Sequence, residues 1–185
     1  MKNSITTKNG DMGQSKLGDG EALPKDDLTF ELLGTIDELI AALGVARAQA
    51  SQASNSSAIK AVQERLMHVA AHIAHAESFT KEEERFSAAD LEELTERAAQ
   101  LERQLRIKPG FVIPGDKPGS AHLHLARSIS RRAERYAVRW ARDREDVNKS
   151  LLPWLNRLSD YLWLLAVAEE SPERNQRIYC LQVRR

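Results

Sequence analysis

Five stretches of the chain carry apolar residues spaced three and four apart. Leu32, Ile36, Leu39, Ile40 and Leu43 form the first stripe, and Ile59, Val62, Leu66, Val69 and Ile73 the second. Leu91, Leu94, Ala98, Leu101 and Leu105 form the third, Leu125, Ile129, Ala133, Tyr136 and Trp140 the fourth, and Leu155, Leu158, Leu162 and Leu165 the fifth. That period gathers each set on one face of an α-helix, which must bury the face against a neighbour. The pattern therefore predicts an all-α fold, a five-helix up-and-down bundle of ferritin-like topology. The 185 residues suffice for one domain with a single core, residues 1–25 forming a loop ahead of the bundle and 26–185 the bundle with a short tail.

Local signals set the expected boundaries. Asp26 or Asp27 caps the first helix, which runs to about residue 50, and the Ser- and Gln-rich residues 49–57 read as a loop. The second helix is expected over 58–77. Ser87 and Asp90 resemble a capping box at the start of the third. Residues 108–119 hold prolines and glycines and read as a stiff, non-helical connection. Ser120 then opens a fourth helix that runs to about residue 145. Pro153 suits the first turn of the fifth, which ends near residue 170. Residues 1–25 look irregular, 81–85 a charged loop and 177–183 a β-prone tail.

Zero formal net charge argues against broad electrostatic capture by nucleic acid or an anionic membrane. The single Cys180 leaves no internal disulfide, and the apolar run 161–168 is too short to span a bilayer. With no apolar leader in the first residues, a soluble cytoplasmic protein is expected. Charge is nevertheless concentrated: seven arginines lie between 127 and 144.

On the fourth helix Arg127, Arg131, Glu134 and Arg135 gather opposite the apolar stripe. Arginine forks bind phosphate or carboxylate oxygens bidentately, so this face suits a polyphosphate; it equally suits a solvated surface with pairs such as Glu134 with Arg131. Asn156, Ser159 and Asp160 give the fifth helix its own polar edge. Near the start, Thr7-Lys-Asn-Gly-Asp-Met-Gly13, followed by Ser15 and Lys16, has the glycines, hydroxyls and lysines of a phosphate loop without Walker A spacing; the alternative is a terminal tail. Asp37 lies at the shoulder of the first stripe, placed to meet an arginine or to sit in solvent. His68, His72 and His75 share a helix-two face, where they hold a metal ion or are ordinary polar residues. Phe111 either plugs the bundle end or contacts something docked there.

Taken together, four separated segments resemble the PduO-type ATP:cob(I)alamin adenosyltransferases over almost the whole chain. They are Thr7 to Gly13, Gly34-Thr-Ile-Asp37-Glu-Leu39, Phe111-Val-Ile-Pro-Gly115, and Leu125-Ala-Arg127 through Arg131-Arg132-Ala-Glu134-Arg135 with Asn156-Arg-Leu-Ser-Asp160. The resemblance implies a homotrimer with active sites between subunits, where cob(I)alamin attacks C5′ of ATP and expels triphosphate. It implies an ATP site with Mg²⁺ built from Thr7, Lys8, Asn9, Gly10, Asp11, Gly13, Ser15, Lys16, Lys25, Arg131, Arg132, Glu134, Arg135 and Asn156. Arg131 would serve triphosphate departure. Arg127 and Asp37 would pair across subunits beside the corrinoid, and Phe111 would lie under the corrin and keep the axial base off cobalt. A reductase and an adenosylcobalamin-dependent enzyme are the further partners implied, with neither nucleic acid nor membrane. Ile40 and Ala41 follow Asp-Glu-Leu where the family often has Asn-Ser, Asp116 stands where Gly is common, and His68 and His72 replace acids. A corrinoid carrier with little turnover and a helical nucleic-acid binder are the competing readings.

Overall fold

The computed structural model describes residues 8, 10–76, 81, 85–105, 113–145 and 147–170. Thr7, Asn9, Phe111 and the tail at 177–183 lie outside them. A two-stranded hairpin, β1 (Gln14–Lys16) and β2 (Ala22–Pro24), precedes five helices: α1 (Leu28–Ala48), α2 (Ala53–Ile73), α3 (Ala88–Leu105), α4 (Pro118–Ala141) and α5 (Leu151–Glu169). The expected five-helix bundle is present. Helix α1 packs against α2 and α4, while α5 packs against α4, α3 and, more lightly, α2.

Single contacts fix the antiparallel registers. Trp140 Nε1 donates to Thr29 Oγ1 at 3.2 Å, and an Arg132–Glu38 ion pair follows further along the α1–α4 seam. Between α4 and α5, Ser120 Oγ donates to Glu170 Oε1 at 2.8 Å and Asn156 Nδ2 to Glu134 Oε1 at 3.0 Å. The second stripe is buried as its spacing requires, and so are Leu155, Leu158, Leu162 and Leu165 of the fifth. Removing such side chains from water is the dominant stabilising term.

The fourth stripe needs correction. Leu125 is 54% exposed and Tyr136 only partly buried; the face in the core is Leu123, Ala126, Ile129, Ala133, Ala137 and Trp140. Three of these are alanines, which let α1 and α5 approach closely but register weakly when apolar residues are ranked by size. Ile40, likewise, is packed against the core's edge rather than within it.

Helix ends also differ from expectation. The presumed loop at 49–57 is shorter, because α2 begins at Ala53. Two of its polar residues meet one carboxylate: Ser51 N–H and Oγ–H donate to Glu169 Oε2 at 2.9 and 2.7 Å, and Asn55 Nδ2 donates to Oε1 at 2.8 Å. Helix α4 starts at Pro118, not Ser120, since proline at the first position forfeits no helical bond. Gly119 is needed there, because a Cβ would lie 2.9 Å from Gln49 O. The same helix stops at Ala141, and α2 stops at Ile73, where His75 adopts a positive φ of 52°. Asp27 caps α1 as expected, accepting from Thr29 N–H at 2.7 Å, and Ser87 N–H donates to Asp90 Oδ2 at 2.7 Å.

Residues 10–25 take up defined structure where an irregular segment was expected. Ser15 pairs with Leu23, Leu17 is buried, and Gly18 N–H donates to Ala74 O at 2.7 Å. A Cβ on Gly18 would stand 2.5 Å from Ala76, so glycine lets the hairpin press against the end of α2.

Candidate active site

Helix α4 distributes its arginines to two faces. Arg127 and Arg131, one turn apart, line a cavity of about 800 Å³ between α3, α4 and α5, together with Pro114, His124, Ser159, Asp160 and Trp163. Arg127 is partly buried, and its Nε is closed to solvent with no hydrogen-bond partner. Arg131 is exposed at the cavity. Asp160 accepts from Arg157 Nη1 at 3.0 Å. With no ion pair to either guanidinium among the described residues, this opening suits an anionic or polar oxygen.

Arg132, about 100° further round the helix, leaves this group. It pairs with Glu38 and lines a second cavity of about 440 Å³ with Lys25, Phe30, Gly34, Thr35 and Tyr136. The expected pairing of Glu134 with Arg131 is replaced by the Glu134–Asn156 bond, which ties the polar edges of α4 and α5. Arg135 is exposed. Asp37 is exposed on α1, and within the described chain no ion pair joins it to Arg127.

The N-terminal loop turns back on Lys25. Lys8 has a φ of 59° and accepts from Asp11 N–H at 3.3 Å; Gly13 N–H donates to Gly10 O at 3.2 Å. Lys25 N–H donates to Gly13 O at 2.8 Å, and a Cβ on Gly10 would meet Lys25 Nζ at 2.7 Å. Gly13, at a φ of 77°, occupies the left-handed region that glycine enters without strain. Ser15 is half-buried in β1 while Asp11 and Lys16 are exposed. Lys8, Gly10, Lys25 and Arg132 thus lie toward one side of the chain, and Arg127 with Arg131 toward another.

The three histidines do not share a helix face. His75 lies beyond the end of α2, with Nδ1 3.0 Å from Asp19 Oδ2, and the His72 ring faces Phe86 at 6.4 Å between centroids. Among the described residues no three His, Cys, Asp or Glu side chains cluster as metal ligands. His124, one turn before Arg127, was not singled out from the sequence although its spacing places it on the arginine face. It is 5% exposed, and burial, reinforced by the charge on Arg127, holds its pKa below the ordinary imidazole value.

The family model for cobalamin adenosyltransferase matches residues 5–169, which span both the N-terminal loop and all five helices. The chain belongs to the cobalamin adenosyltransferase family. Among curated members, the corrinoid adenosyltransferase of Citrobacter freundii is 34% identical over 171 residues, covering 90% of this chain and 95% of that protein. The corrinoid adenosyltransferase PduO of Salmonella typhimurium is 33% identical and covers 91% of this chain; this chain spans only 50% of PduO. A solved structure is similar at a TM-score of 0.78 and 28% identity, covering 90% of this chain and 93% of the other. It is a variant PduO-type ATP:corrinoid adenosyltransferase from Lactobacillus reuteri complexed with cobalamin and ATP. No described helix is long and apolar enough to cross a membrane.

Proposed function

We propose that this family member transfers the 5′-deoxyadenosyl group of ATP to the cobalt of cob(I)alamin and releases triphosphate. The electron pair of cobalt(I) forms the bond to C5′, and the pair of the breaking C5′–O bond leaves with the triphosphate. The observation that carries this reading is the cavity holding Arg127 and Arg131, where one guanidinium nitrogen is buried without a partner. Leaving a buried donor unpaired is costly, and such groups cluster where a ligand completes them.

Donors that bind triphosphate more tightly as it departs lower the barrier. Arg131 and Arg135 of one copy, with Lys8, Lys25, Ser15 and the backbone amides of Asn9 and of the Gly10–Gly13 turn of the next, are assigned that work. Thr7, Asp11, Lys16, Arg132, Glu134 and Asn156 are assigned to holding the nucleotide. Mg²⁺, arriving on the phosphates, would offset part of their charge. Phe111 is assigned to the lower corrin face, and Pro114, three residues on, lines the larger cavity.

The catalytic unit is proposed to be a homotrimer in which Asp37 of one copy meets Arg127 of the next. Two facts support it: Asp37 is exposed, and Arg127 lacks a partner at Nε. The α1–α4 register also sets Val45, 48% exposed, level with Leu125, giving an apolar pair on the outer face of these helices. We assign the chain to the cytoplasm, with a reductase supplying electrons and an adenosylcobalamin-dependent enzyme receiving the product. Anaerobic spectra test the central step. Cob(I)alamin mixed with the protein is expected to convert to adenosylcobalamin only when ATP is added; an unchanged spectrum sinks the reading in favour of a corrinoid carrier.

A further inference from the structure

Buried polar side-chain atoms without partners are few among the described residues, and they are not scattered. Of Gln63, His124, Arg127 and Arg157, which hold them, the last three line the same cavity of about 800 Å³. His124 is the outlier in kind, because both ring nitrogens are closed to solvent and unsatisfied. A core histidine normally finds a carbonyl or hydroxyl for at least one nitrogen. The charge that acts on the ring is that of Arg127, which supplies no acceptor. Ser128 Oγ donates to the His124 backbone carbonyl and leaves the ring alone.

A neutral imidazole presents one N–H donor and one lone-pair acceptor. The group that matches it is one offering an acceptor and a donor side by side, as a primary carboxamide does. The corrinoid of cobalamin carries such carboxamides around its rim. We propose that His124 binds a peripheral carboxamide of the corrinoid substrate and thereby favours amidated corrinoids over their carboxylate forms. The assignment rests on the function proposed above.

Three observations favour the corrinoid over ATP as the ligand at His124, while Arg131 at the same cavity keeps its assignment to the triphosphate. The cavity is larger than the one lined by Lys25 and Arg132, with apolar walls from Ala98, Trp163 and Leu164. Pro114, from the connection that holds Phe111, stands at its edge. The phosphate-loop turn, by contrast, closes on Lys25 beside the other cavity. Burial and the neighbouring Arg127 lower the pKa of His124 below its ordinary value, which favours the neutral ring and the acceptor that an imidazolium lacks. His124 lines the cavity, and the terminal torsion of a histidine is broad.

The full chain carrying His124→Phe tests this by equilibrium binding of cobalamin and, separately, of ATP. Cobalamin affinity is expected to fall by roughly tenfold or more, and ATP affinity to stay at the wild-type value. His124→Gln, which keeps a donor and an acceptor, should recover most of the loss; it also serves if His124→Phe lowers Tm. A corrinoid with its carboxamides hydrolysed to carboxylates is the third probe, and the preference for the amide form should shrink in His124→Phe. Unchanged cobalamin affinity in a folded His124→Phe, an equal loss for ATP, or an unchanged amide preference would each overturn the assignment. A wild-type chain that binds ATP but no cobalamin would remove the proposed function, and this assignment with it.

Discussion

Asn156 donates to Glu134 across the α4–α5 seam at 3.0 Å, one turn from Arg131. A neutral donor thus holds a carboxylate at the edge of an arginine cluster, where an uncontrolled negative charge would repel phosphate. Asn156→Asp would set two carboxylates face to face. Its expected effect is a rise in KM for ATP of about tenfold to a hundredfold, with KM for cobalamin little changed. Steady-state kinetics with each substrate varied in turn decides it; an unaltered KM for ATP would take Asn156 out of the nucleotide site.

Arg131→Ala is expected to lower kcat by about two orders of magnitude or more while the circular dichroism stays that of a folded bundle. The side chain is exposed, so its loss costs little packing. Arg131→Lys should recover little, because a point charge does not replace the planar fork. Near-wild-type turnover in Arg131→Ala would mean that triphosphate is held elsewhere.

Asp37→Ala and Arg127→Ala should each be inactive or nearly so, yet regain activity when the two are co-assembled. A mixed interface pairs the intact Asp37 of one copy with the intact Arg127 of another. Recovery after mixing unfolded chains and refolding them together is the measurement. Two variants that stay inactive in the mixture would show that the pair does not act across subunits.

The fold was legible because each helix repeats its apolar residues at three and four, and a bundle is the arrangement that buries five such faces. The site was legible only in part. Arg127 and Arg131 were found by their shared face, together with Arg135; Arg132, named only through the family resemblance, lies off that face and meets Glu38. His124 shares the spacing of the arginine face, but only the missing partners in the fold set it apart from His122 two residues before it. The polar run at 49–57 read as loop for a related reason. Its Ser51 and Asn55 answer Glu169, more than a hundred residues away, and nothing local announces that contact.

That long-range contact carries its own prediction. Glu169 is 1% exposed and sits at the junction of α5, the start of α2 and the start of α4. Burial by itself would raise its pKa, but the bonds from Ser51 and Asn55 outweigh it and hold the carboxyl below its ordinary 4.5. In the unfolded chain the same carboxyl protonates at the ordinary value, so at intermediate pH the unfolded state binds more protons than the folded one. The stabilisation is therefore complete above about pH 4.5 and is lost as pH falls through the folded value. Glu169→Gln keeps the shape but replaces one acceptor oxygen with a donor amide facing other donors. It should cost about 1–3 kcal/mol at pH 7, and the gap from wild type should narrow as the solution is acidified. Urea unfolding across this range measures both. An equal gap at every pH would show that the contribution of Glu169 does not depend on its charge, and no gap at all would show that Ser51 and Asn55 are satisfied equally well by the amide.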